Sequence, residues 1–189
     1  MANRNAPAGA RLVGHLYGSP YNARVRQYVV PASDSTALYI GDFVKMVGDG
    51  DVNQVGMLLP EANAAAAGNV LLGVVVGFMP TPDQLNITYR PAYTQRTIFV
   101  CDDPNAIFEI QSTGTFASTD IGQNADFVAG SPSTVWGTSG SQLNHASLSA
   151  SDGQLRILGI YQSVDNELGA YCKVTCFINE HIFKQIAGV

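Results

Sequence analysis

The sequence predicts a mainly β protein: a single β-barrel or β-sandwich domain over residues 25–189, an extended N-terminal arm over residues 1–24, and long polar loops. Three observations carry that reading. Short apolar or alternating runs of strand length follow one another; they are enriched in β-branched and aromatic residues; and Gly, Pro, Asn or Asp bounds them. No segment sustains an apolar period of 3.6 residues over the length of a stable helix.

In chain order the expected strands are 25–30, 37–40 and 43–47, the last closed by a turn at Gly48, Asp49 and Gly50. Next come 55–59, 70–78, 85–89, 97–101 and 106–111, then 155–161 and 170–178. In the last run, Cys172, Val174, Cys176 and Ile178 share one face and form the expected core side, with Tyr171, Lys173, Thr175 and Phe177 on the other. Residues 61–67 suit either one or two helical turns stopped by Gly68 or a surface loop. Residues 112–151, rich in Gly, Ser, Thr and Asn, are expected to form loops over the sheet, with Trp136 as an anchor. No fixed-period repeat and no charged linker divides the chain.

Charge is sparse and unevenly placed. Charged residues make up 13% of the chain, about half the usual share of roughly 25%, so much of the surface is small and polar or is covered by contacts between subunits. Residues 1–33 carry four arginines and no acid, whereas residues 34–189 carry six basic against fifteen acidic side chains. A cationic arm on an anionic body favours association with acidic protein surfaces. The arm's small and turn-forming residues give little burial in return for ordering, so it is expected to order against a partner. Its proposed contacts are Arg4, Arg11, Arg24 and Arg26 with carboxylates, and Leu12, Leu16, Tyr17 and Tyr21 in shallow apolar pockets. A frayed, merely solubilising terminus is the bland alternative.

The same numbers argue against other partners. Four positive charges beside an acidic body, with a pI near 4.9, give weak and salt-sensitive phosphate binding, so no nucleic-acid partner is expected. The longest apolar run, 70–79, is interrupted by Gly73 and Gly77 and is too short to span a bilayer, so no membrane partner is expected. The opening residues lack an apolar signal-peptide core, and three cysteines without framework spacing read as free thiols. Both point to assembly in a cytoplasm.

Motifs that resemble chemistry fail on spacing. Asp49, Asp51 and Asn53 begin like a calcium loop, but the sixth and twelfth positions hold Gln54 and Pro60 rather than Gly and Glu. Cys172 and Cys176 with His181 suggest zinc, yet on an extended strand the two thiols lie roughly 13 Å apart, and buried structural thiols are the better reading. Ser139 with His145 and Asp126 or Asp152 makes a triad on paper, but the nucleophile-elbow spacing and a following helix are missing. Asp102 and Asp103 before Pro104 read as a turn rather than an acid/base dyad. Asn86, Ile87 and Thr88 form a glycosylation sequon without a secretory context. No cofactor, metal site or enzymatic activity is expected.

Several segments together carry a family resemblance. These are Gly18, Ser19, Pro20, Tyr21 and Asn22, then residues 28–34 and 37–42, the run 73–78, the tract 102–111, and 155–159. The chain resembles the head decoration, or cement, proteins encoded beside the major capsid protein in tailed bacteriophages. The resemblance implies a structural virion protein on the outer capsid surface, assembled in the host bacterial cytoplasm, which binds the major capsid protein and bridges neighbouring copies. It also implies self-association, as a homotrimer at three-fold positions or a dimer at two-fold positions. The competing expectation is a surface-displayed module that recognises host glycan through loops around Trp136 and Tyr161.

Overall fold

The computed structural model describes residues 3–18, 24–53, 55–82 and 85–184. Strand β1 (Arg11–His15) pairs antiparallel with β7 (Ala106–Gln111), placing Arg11 opposite Glu109 and Leu12 opposite Phe108. A closed barrel follows the order β2 (Arg26–Val30), β4 (Leu58–Ala64), β3 (Phe43–Val52), β5 (Gly73–Phe78), β6 (Arg96–Cys101). It closes through β2, which runs antiparallel to β6 from Arg26↔Val100 to Val30↔Arg96 and parallel to β4 at Val29↔Glu61. The second sheet has the order β1, β7, β14 (Lys173–Ile178), β12 (Leu155–Ile160), β9 (Asn124–Ala125). Two small ribbons complete the structure: β10 (Phe127–Val128) with β11 (Gln142–Leu143), and β13 (Gly169–Ala170) with β8 (Thr115–Phe116). The mainly β fold expected from the sequence is present, in a barrel and a sheet.

Alternating side chains tie these two bodies together. On the shared strands, Val44, Val75 and Val100 face the barrel interior with Tyr28, Val30, Ala62, Leu72 and Ile98. Their neighbours Phe43, Val74 and Cys101 face the other way and pack with Phe108, Ile110, Leu155, Ile157, Val174 and Cys176 of the sheet. Strands β3, β5 and β6 are thus apolar on both faces where they meet the sheet, which is why 70–78 reads as a nearly unbroken apolar run. On β14 the expected core face is observed, with Cys172, Val174, Cys176 and Ile178 all buried.

The N-terminal segment corrects the expected partition at residue 24. Residues 3–18 are part of the folded domain rather than a free arm. The Asn3 amide donates to the Glu167 and Ala170 carbonyls, and its oxygen accepts from Glu167 N–H. The Gln111 amide donates to Asn5 Oδ1 while its oxygen accepts from Ala6 N–H. Ala10, which is buried, donates to Gly41 O, and Leu16 N–H donates to Asn105 O. Gly9 makes the approach possible: at φ 71°, a Cβ there would lie 2.6 Å from Gly41 O and from Ser139 Cβ. Tyr21 lies outside the described residues.

Other expected elements shift. Residues 48–50 do not turn; β3 continues to Val52 through a register irregularity between Met46 and Gly50. The stretch expected as a helical turn or loop after Glu61 is strand as far as Ala64. Residues 37–40 form only the isolated bridges Leu38↔Arg90 and Ile40↔Thr138, and the described residues 85–89 are not strand. Two buried arginines hold these irregular loops. The Arg90 guanidinium, fully buried, donates to the carbonyls of Thr94, Thr36, Pro31 and Asp34 at 2.6 to 3.0 Å. Arg96 donates to Met79, Tyr89 and Ile87 carbonyls and lies over the Phe78 ring.

Arg90→Met leaves those carbonyls without their donor and is expected to cost about 3–5 kcal/mol, which lowers Tm by roughly 10 °C for a chain of this size. Arg90→Lys rescues little, because an ammonium does not reproduce the planar fork. Chemical and thermal denaturation of both variants check this.

His181 supplies a pH prediction. It is fully buried beside Leu71, its Nδ1 accepts from Phe183 N–H, and its Nε2 has no partner. Burial, with a smaller push from Lys184, lowers its pKa to about 4. An unfolded imidazole titrates near about 6.5, so the unfolded chain takes up a proton that the folded one refuses. Stability is therefore lost as pH falls from about 6.5 and the loss levels off below about 4, approaching 3 kcal/mol. His181→Leu removes this component, and denaturant titrations of both proteins across that range show the difference.

Candidate protein interface

The barrel strands carry two chemically different exposed surfaces. At one, β3 and β4 extend past the barrel wall as a hairpin, paired from Gly50↔Pro60 to Val52↔Leu58. Its tip is pre-ordered: Asn53 Oδ1 accepts from the N–H groups of Val55 and Met57, and Asn53 N–H donates to Met57 O. Gly56 supplies the positive φ the turn needs. Gln95 braces the stem through Asp51 Oδ2 and Val52 O. On this tip Val52, Val55, Met57 and Leu58 are all exposed, Leu58 by 73%. Below them stand Asp49, Asp51 and Glu61; burial first and the two aspartates second raise the Glu61 pKa.

The end of β2 and β6 at the Arg26↔Val100 pair gathers several of the sequence-selected residues. Arg26 lies 3.2 Å from Asp102, which also accepts from Tyr28 O–H at 2.7 Å, and its guanidinium sits over the Phe183 ring. Burial and Asp102 push the Tyr28 pKa up. Leu16, half-buried, is tied to Asn105, and His15 meets Asp103 at 3.2 Å. Tyr17 beside them is 77% exposed, and Arg24 is also exposed. Further along β1, Arg11 is 3.9 Å and Lys173 3.6 Å from the buried Glu109. Arg4 lines a nearby 220 Å³ cleft with Asn3, Asp165, Tyr171 and Lys173. Leu12 instead packs against the sheet core, so it contributes stability rather than a free contact.

The structure brings Leu16, Tyr17 and Arg26 together at the Asp102–Asn105 corner and sets Arg4 and Arg11 apart along the β1 edge. Sequence reasoning missed the hairpin tip, because the Gly48, Asp49, Gly50 turn signal drew the loop five residues too early. The signal that marks it is Asn53 followed by Gly56, the residues that close the turn. A second exposed site lies at Val135 and Trp136, the latter 78% exposed rather than anchoring a loop in the core. Tyr161 is only half-exposed.

The groups of the paper triad are held in separate contacts. Ser139 is buried and donates to Asp42 at 2.5 Å, while His145 Nε2 meets Asp120 at 3.2 Å. Asp126 accepts from Gln154 N–H. Asp103 accepts from Asn105 N–H, the turn expected of that pair. Asp49 and Asp51 cap N–H groups of their own hairpin. Cys172 and Cys176 are buried free thiols, with burial pushing Cys176 up to about 12. Among the described residues no three His, Cys, Asp or Glu side chains are grouped to hold a metal, and no helix is long and apolar enough to cross a membrane. Searches against protein-family models, curated proteins and solved structures return no match to this chain.

Proposed function

We propose that this protein is a structural virion component that binds the outer capsid surface and bridges neighbouring major capsid proteins. Bridging requires two contact surfaces on one rigid body. The observation that carries the reading is the pair of unlike surfaces on one folded body: the apolar, acid-stemmed hairpin tip of β3 and β4, and the Tyr17, Arg24 and Arg26 corner beside the Arg26↔Val100 pair. Exposed apolar side chains on a braced hairpin bind with little ordering cost, and surfaces of different charge suit different partners on a lattice. Homotrimeric or dimeric self-association belongs to the same proposal, since many copies of a weak contact gain from effective concentration.

A β-module that recognises host glycan is the second reading, favoured by the exposed Trp136 next to Val135. Aromatic faces on loops suit sugar contact, whereas the half-exposed Tyr161 contributes less.

Point variants test the first reading without removing β1, which deletion of residues 1–24 would do. Met57→Asp with Leu58→Asp at the tip, and Tyr17→Asp at the corner, are expected to weaken binding to capsid shells assembled without this protein by at least about 30-fold each, with Tm unchanged. Full binding by both variants sinks the bridging mechanism. For the second reading, Trp136→Ala is expected to abolish pull-down of host envelope fragments by the isolated protein; a wild type that captures none rejects it.

A further inference from the structure

A cleft of 270 Å³ opens where the loop before β3 meets the ribbon of β10 and β11, and its walls include Tyr39, Asp42, Phe43, Ala65, Phe127 and Ser141. It is an aromatic slot with one carboxylate. In its lining the Phe43 and Phe127 rings pack at 4.7 Å, and Tyr39 is held by stacking on Tyr89 at 4.8 Å. Asp42 is three residues from Tyr39 and accepts from its N–H through Oδ2 at 2.8 Å. Its Oδ1 accepts from the hydroxyls of Ser139 and Ser141.

All of these donors are neutral. Among the described residues no Lys, Arg or His forms an ion pair with Asp42, unlike Asp34, Asp102, Asp103, Asp120 and Glu109. A carboxylate in apolar surroundings without a counter-charge is costly, and burial raises the Asp42 pKa accordingly. A cation is the ligand whose charge complements this carboxylate.

The hydrogen bonding also selects the kind of cation. A carboxylate offers about four acceptor positions, and here the two on Oδ1 and one on Oδ2 are taken. A guanidinium fork needs one open position on each oxygen, whereas an ammonium needs a single one. The apolar walls suit the methylenes that carry such a head group.

We propose that this cleft binds a primary alkylammonium group, the side chain of a lysine from a partner chain, with its methylenes against Phe43, Phe127 and Tyr39 and its charge on Asp42. This site is separate from the hairpin tip and from the Tyr17 corner, and its test does not involve capsids.

The probe is N-acetyl-lysine N-methylamide, titrated into the full chain and followed by amide NMR, with the norleucine and arginine counterparts and n-butylamine as controls. Expected are saturable shifts at residues 38–43 and 139–141, with the lysine derivative binding at least about tenfold more tightly than the neutral norleucine one, the size of one charge-assisted hydrogen bond. Asp42→Asn is expected to erase that preference. Ala129→Trp, which adds bulk to the cleft wall and leaves the Asp42 carboxylate in place, is expected to weaken the lysine and norleucine derivatives alike and covers the case of a misfolded Asp42 variant. Equal binding of the lysine and norleucine derivatives, or shifts confined to other surfaces, overturns the proposal. Binding of n-butylamine without binding of the capped lysine also overturns it, since the slot would then admit a free amine and exclude a chain.

Discussion

The structure depends on one wall that has to be apolar on both sides. Strands β3, β5 and β6 line the barrel with Val44, Val75 and Val100 and, one residue away on each, line the sheet with Phe43, Val74 and Cys101. Each burial of such a side chain contributes about 1.5–3 kcal/mol, and a shared wall collects that gain twice over the same backbone. It also removes the solvent face on which an ordinary antiparallel strand would place its charges. The low charge content of the chain follows in part from this geometry, independently of any partner.

A double-sided wall leaves the connecting loops to be satisfied by other means. Loops that run over buried surface carry carbonyls that no strand reaches, and an unpaired buried carbonyl costs about 1–3 kcal/mol. Here buried polar side chains fill that role. Arg90 serves four carbonyls around residues 31–36 and 94, Arg96 serves those of Met79, Ile87 and Tyr89, and Gln154 donates to Ala66 and Asn69. Two of the ten basic residues are therefore interior braces. The cationic surface is correspondingly smaller than the residue count suggests, and more of it lies near the N-terminal strand.

What the sequence made legible was whatever one strand decides by itself. The run 106–111 became β7 with the same bounds, and the alternation along β14 placed four side chains correctly, because a period of two is set by the local backbone. The misplacements have a common cause, which is long-range pairing. Residues 3–18 looked too poor in apolar content to order themselves, yet Asn3, Asn5 and Ala10 find partners more than 30 residues away in sequence. Gly48, Asp49 and Gly50 carried every mark of a turn, but opposing β4 holds them extended through a bulge. Arg90 and Arg96 stand in the sequence simply as two of the six basic residues of 34–189, because nothing local distinguishes a guanidinium that will be buried against carbonyls. Of the residues proposed for contact, Tyr17 and Arg24 are exposed, whereas Leu12 is claimed by the core beneath β1.

Rigidity is what connects this fold to the proposed role. A flexible arm engages a lattice by spending ordering entropy at each contact, whereas here β1 is already paired and the hairpin tip is already closed by Asn53 and braced by Gln95. The two surfaces stand on one hydrogen-bonded barrel, so a second contact is made at a set distance from the first. For a body that joins neighbouring subunits, such fixed spacing turns two modest contacts into one strong attachment only where the subunits stand at the matching separation. Selectivity for an assembled shell over its loose subunits then arises from geometry, with neither contact needing to be tight by itself.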